Sequence, residues 1–70
     1  MPKYIINRNP QEGGEHEFHN ENICGHLPLV ENRILLGNFN NCEDSKTSAI
    51  NKWPNKVIDG CYWCTNCHTR

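Results

Sequence analysis

The sequence predicts an α+β fold: a small, mostly antiparallel sheet with one helix packed across it, stabilised by a zinc site. Three observations point there. Short β-favouring runs alternate with turn residues, a single capped helical stretch ends at a proline, and five cysteines and four histidines are packed into 70 residues. That length makes one domain, residues 1–70, with no linker, repeat or low-complexity segment. A domain this short buries only about 60% of the surface its unfolded chain exposes, so its core is marginal. A disulfide, a structural metal or a partner subunit usually makes up the difference.

The elements follow in order. Lys3 to Asn7 is β-favouring, with Tyr4 and Ile6 on one face and Ile5 on the other. Asn9-Pro10-Gln11-Glu12-Gly13-Gly14 is rich in residues that fix or free φ, which marks a turn. Glu15 to His19 then alternates as a second strand, and a hairpin with the first is the natural pairing. His16 and Phe18 share one face of it, and His19 shares the other with Glu15 and Glu17, so the two histidines cannot easily chelate one ion together. Arg33 to Leu36 reads as a third strand ended by Gly37.

Asn41 is placed to cap a helix, with Glu43 and Asp44 in the first turn, where carboxylates meet the helix dipole favourably. Cys42, Ala49, Ile50 and Trp53 are expected on its buried face, and Pro54 stops it. Val57-Ile58 reads as a last strand fragment, after which Asp59-Gly60 turns the chain into the cysteine cluster.

The N-terminus has no long apolar run and no small-residue cleavage site, and no stretch approaches the roughly 18 apolar residues of a membrane span. A cytoplasmic protein without membrane contact is the expectation. There thiols stay reduced and clustered cysteines more often bind metal. The odd cysteine count also fits poorly with a closed disulfide framework. Net charge is −1, and the seven basic residues are scattered, which gives nucleic-acid binding no electrostatic support.

The strongest motif is Cys61-Tyr62-Trp63-Cys64-Thr65-Asn66-Cys67-His68. A Cys-x-x-Cys turn sets two thiolates on one side of a tight loop and suits half of a tetrahedral zinc site. His19 and Cys24, one loop apart, supply a second half. The expected ligands are His19, Cys24, Cys61 and Cys64, with Cys67 and His68 as competitors for the fourth place, since thiolate is the softer ligand. Three other readings stay open. Cys64-Thr65-Asn66-Cys67-His68 matches the c-type haem attachment pattern, a Cys-x-x-Cys pair suits a thiol-redox protein, and the cysteines could simply be buried or disulfide-bonded.

These residues, with Tyr4-Ile5 at the start, the Asn32 to Phe39 region and Ala49 in a helix, resemble the N-terminal metal-binding domain of Ada-type DNA repair proteins. They also resemble short bacterial cysteine-rich proteins that carry a His-Glu-x-His segment and end in Cys-His-Thr. The resemblance implies a metal held by a His19/Cys24 half and a Cys61/Cys64 half. The Pro-, Arg- and Lys-rich surroundings of the Ada-type cysteines are missing here, and Cys67 and His68 are additional.

The remaining candidates read as structural. His16 is expected to be packed and hydrogen-bonded, His26 to sit in a surface loop and Cys42 to be a small core residue. Tyr62 and Trp63 are expected to cover the metal. His16-Glu17-Phe18-His19 lacks the His-Glu-x-x-His spacing of zinc hydrolases. The function expected is therefore a non-catalytic zinc-stabilised binding module, contacting a protein or nucleic acid, with no small-molecule substrate evident.

Overall fold

The computed structural model describes residues 1–69. Strands β1 (Lys3–Asn7), β2 (Glu15–Asn20), β3 (Arg33–Asn38) and β4 (Val57–Gly60) form one sheet in the order β3-β1-β2-β4. Helix α1 (Cys42–Lys52) lies between β3 and β4 in the chain. The α+β expectation holds: β1 pairs antiparallel with β2 and with β3, while β4 pairs parallel with β2. No helix among the described residues is long and apolar enough to cross a membrane.

The β1–β2 hairpin forms where the turn residues placed it. Gly14 takes φ +90, a left-handed conformation that glycine adopts without a Cβ penalty. Tyr4, Ile6, Phe18 and Ile58 share one sheet face and pack with Leu36, Cys42, Ala49 and Cys67 into the core. Tyr4 meets Phe18 edge to face at 6.4 Å between ring centroids.

The third strand runs two residues further than expected. Gly37 does not end it. Tyr4 opposes Gly37 and Ile5 opposes Leu35, so Leu36 is an extra residue in a bulge, and Gly37 at φ +132 absorbs the irregularity. The bulge leaves Leu36 buried in the core.

Helix α1 begins as its sequence directs, with the Asn41 side chain accepting a 2.8 Å hydrogen bond from the Asp44 N–H. Its buried residues are Cys42, Ser45 and Ala49, and Ile50 is exposed, which corrects the expected face. At about 100° per residue, Ser45 and Ala49 fall nearer the Cys42 direction than Ile50 does. Ser45 tolerates full burial because its hydroxyl donates to the Cys42 carbonyl at 2.8 Å. Asp59-Gly60 also differs from expectation, since both residues are strand and both are buried. The parallel ladder continues past them: Gly60 opposes Phe18, and the Cys61 N–H donates to the Phe18 carbonyl at 2.9 Å.

Candidate metal centre

Parallel pairing of β2 and β4 sends both strands out at the same edge of the sheet. Successive side chains alternate faces, so Glu15, Glu17 and His19 of β2 face away from the helix. In β4 the register sets Val57 beside Glu15 and Asp59 beside Glu17. Two residues further on, Cys61 reaches the level of His19 on that same face.

A short turn follows each strand. After β2, the Asn20 carbonyl accepts from the Ile23 and Cys24 N–H groups, and the Asn20 side chain accepts from the Asn22 N–H at 3.1 Å. This swings Cys24 back toward His19. After β4, the Cys61 carbonyl accepts from the Thr65 N–H at 3.1 Å and from the Thr65 hydroxyl at 2.8 Å. This returns Cys64 toward Cys61. The His26 N–H donates to Cys24 Sγ at 3.4 Å, which holds the Cys24 side chain in the turn.

The result is a cluster of His19, Cys24, Cys61 and Cys64, whose ligand atoms all lie within 4.8 Å of one another. His19 Nδ1 is 3.5 Å from Cys24 Sγ and 3.9 Å from Cys64 Sγ, and Cys24 Sγ is 3.8 Å from Cys61 Sγ. Tetrahedral zinc bonds of normal length would set sulfurs about 3.8 Å apart and sulfur and nitrogen about 3.6 Å apart. The spacing therefore fits a four-coordinate ion, and the group could hold one.

The electrostatics suit a cation. His19 is 2% exposed, and burial, with Arg33 and His26 adding positive charge, lowers its pKa from 6.5 to about 4. Its ring is thus neutral at ordinary pH, the form that ligates metals. Burial pushes the Cys61 thiol up, opposed by the backbone N–H groups of Trp63 and Cys64. Cys64 is raised further by burial and by the neighbouring sulfurs of Cys24 and Cys61. Thiols so placed keep their protons until a cation replaces them.

The competitors for the fourth place lie elsewhere, which corrects the expectation for Cys67. It is disulfide-bonded to Cys42, with the two Cα atoms 6.1 Å apart. The Cys67 N–H donates to the Thr65 hydroxyl, and the Cys67 side chain packs into the core rather than turning back to the cluster. With Cys67 joined to Cys42 and Cys64 facing His19, the haem-attachment pattern has no free pair of thiols. His68 Nδ1 donates to the Gly60 carbonyl at 3.0 Å and lies 3.4 Å from Asp59 Oδ2.

Other residues settle as follows. His16 is buried against the Asn7 carbonyl at 3.1 Å, a packed histidine as expected. Cys42 is in the core, but as half of the disulfide. Tyr62 and Trp63, expected to cover the cluster, are 64% and 66% exposed. They stand at the crown of a tight turn whose sulfurs point inward, so the side chains between the cysteines point out. Trp63 stacks on the exposed His26 at 4.7 Å between centroids. Asp59 is a residue that sequence reasoning missed: wholly buried, it accepts from the Thr69 N–H and hydroxyl, both at 2.9 Å. Only its place in a strand-like run beside the cysteines could have hinted at this. No protein-family model, curated protein or solved structure matches the chain.

Proposed function

We propose that the chain is a zinc-stabilised binding module whose metal centre is structural and non-catalytic. The observation that carries this reading is the closed donor set: one imidazole and three thiols within 4.8 Å, all from the protein. Zinc favours nitrogen and sulfur donors, and a site with four protein ligands leaves no position for a substrate water. The ligand set is the one implied by the Ada-type resemblance. The scattered basic residues and net charge of −1 favour a protein partner over nucleic acid. The binding face is the exposed edge over the two metal-holding turns, where Ile23, Tyr62 and Trp63 project. Apolar side chains grouped at one edge and left in water are the usual mark of a contact surface.

Elemental analysis of the purified protein tests the metal. About one zinc per chain is expected, and His19→Ala or Cys24→Ser should lower metal affinity by orders of magnitude. Well under half an equivalent after expression in zinc-replete medium would remove the basis for this reading.

A further inference from the structure

At the end of the sheet away from the metal centre, β2 and β4 begin and α1 stops. A cleft of about 90 Å3 opens there. Ile6, Ile34 and Trp53 give it apolar walls, His16 lines it, and the exposed Arg8 and Lys56 stand at its rim. No acidic residue and no residue of the metal centre is among its lining groups.

His16 is what points to a ligand. It is 8% exposed, and its Nδ1 lies 3.1 Å from the Asn7 carbonyl. A carbonyl only accepts, so Nδ1 carries the proton, and Nε2 of the neutral ring is left as an acceptor. That nitrogen has no partner among the described residues, yet it is not sealed from open space. Because the ring lines the cleft, its free acceptor serves a small, mostly apolar space. Polar atoms this deep normally have a donor against them.

The charge at the rim is uncompensated as well. The ion pairs of the protein engage Lys3, Arg33 and His68, and neither Arg8 nor Lys56 has a carboxylate partner among the described residues.

We propose that this cleft binds a small hydroxyl-bearing carboxylate, with a single ring or a short chain between its two polar ends. The hydroxyl donates to His16 Nε2 on the inner side. The apolar body lies among Ile6, Ile34 and Trp53, and the carboxylate stays in the mouth against Arg8 and Lys56. Polarity fixes this direction, since the buried group is an acceptor and the exposed groups are cations.

Size limits the ligand further. A closed apolar cavity of about 150 Å3 holds benzene, and a water molecule takes about 30 Å3 of liquid. A cleft of about 90 Å3 therefore admits one ring or a chain of a few carbons, with the charged end left outside, and excludes fused rings. The indole of Trp53 favours an aromatic body through edge or face contact.

The test is a titration of the full, zinc-loaded chain followed by amide and indole NMR signals, with 4-hydroxybenzoate and 4-hydroxybutyrate as probes. At least one of them should give saturable shifts at Trp53, His16 and Arg8, with the Trp63 indole unmoved, and the tighter probe tells a phenolic body from an aliphatic one. Benzoate, which lacks the hydroxyl, and phenol, which lacks the carboxylate, should each bind about two- to tenfold more weakly than 4-hydroxybenzoate. Arg8→Gln and Lys56→Gln should weaken the carboxylates several-fold and leave phenol unchanged. His16→Phe should abolish the advantage of 4-hydroxybenzoate over benzoate. Should that variant fail to fold, the ligand series and the two rim variants decide the matter, because Arg8 and Lys56 are exposed. Shifts that do not saturate, equal binding of benzoate and 4-hydroxybenzoate, or inorganic phosphate binding as tightly as either probe would overturn the proposal. The cleft would then be a water-filled notch or a general anion contact. Zinc measured on the same samples keeps this result apart from the reading of the metal centre, since the two sites share no residue.

Discussion

At His19 the surroundings decide the charge state: burial and the nearby positive charges of Arg33 and His26 bring its pKa down to about 4. A proton on this ring competes with a metal only in acid, so binding between pH 6 and 8 displaces nothing from it. Cys61 and Cys64 behave oppositely. Burial raises both thiols, so each still carries a proton at pH 7 and must release it when a metal arrives. Protons and metal therefore compete at two or more sulfurs, and affinity falls as pH falls. For the metal-free, oxidised domain, the expected result is an apparent zinc association constant that climbs about a hundredfold or more per pH unit between pH 6 and 8, with no added step near 6.5. Competition titration against a chromogenic chelator at several pH values measures it. A slope nearer tenfold would mean that one of the two thiols is not a ligand. The same residues show how much of the site was legible beforehand. Cys61 and Cys64 announce themselves by spacing, and His19 and Cys24 by sharing one loop. Cys67 carries the same local spacing as Cys64, and what separates them is the turn at Thr65, whose hydroxyl bonds both the Cys61 carbonyl and the Cys67 N–H.

Among the elements, β4 does the most to assemble the centre, and it was the least visible in the sequence. The β1–β2 hairpin and the Asn41 cap are local features, written into adjacent residues. The parallel alignment of β4 on β2 depends on contacts some 40 positions apart, and nothing near Val57 specifies that partner. Asp59-Gly60 resembled a turn because that dipeptide usually is one. Its glycine is needed for close approach instead. A Cβ on Gly60 would collide with the Thr65 hydroxyl and would come within 2.9 Å of the Cys67 carbonyl carbon and 3.0 Å of Cys67 Cβ. Two of these contacts are with a residue tied down by the disulfide, which cannot move aside cheaply. Gly60→Ala is expected to cost about 1–3 kcal/mol, the usual range for forcing atoms into a filled space. Urea unfolding of the zinc-loaded protein measures this, and a loss below about 0.5 kcal/mol would show that the tail yields freely.

For the whole molecule, the candidate metal cluster and the disulfide tie different pairs of elements. His19, Cys24, Cys61 and Cys64 bring together the ends of β2 and β4 with their following turns, while Cys42–Cys67 fastens α1 to the tail. The buried core between them is small, with Phe18 its largest fully buried side chain. Metal binding energy in such domains is folding energy, and a disulfide closing a loop of this size restricts the unfolded chain by about 3–4 kcal/mol. A single cross-link should therefore preserve part of the fold, and neither should leave none. Chelation of the oxidised protein is expected to broaden amide signals of residues 19–26 and 60–66 while those of β1 and α1 stay dispersed. Reduction of the zinc-loaded protein should leave the spectrum dispersed throughout, with changes confined to the start of α1 and the tail. Chelation after reduction should collapse all signals toward random-coil positions. If chelation alone unfolds the oxidised chain, the disulfide adds too little to hold the helix on the sheet, and the metal is the principal support. If the chain stays folded with both links removed, the packing of Tyr4, Ile6, Phe18, Leu36 and Ile58 suffices by itself. The need for a cross-link inferred from the short chain would then be wrong.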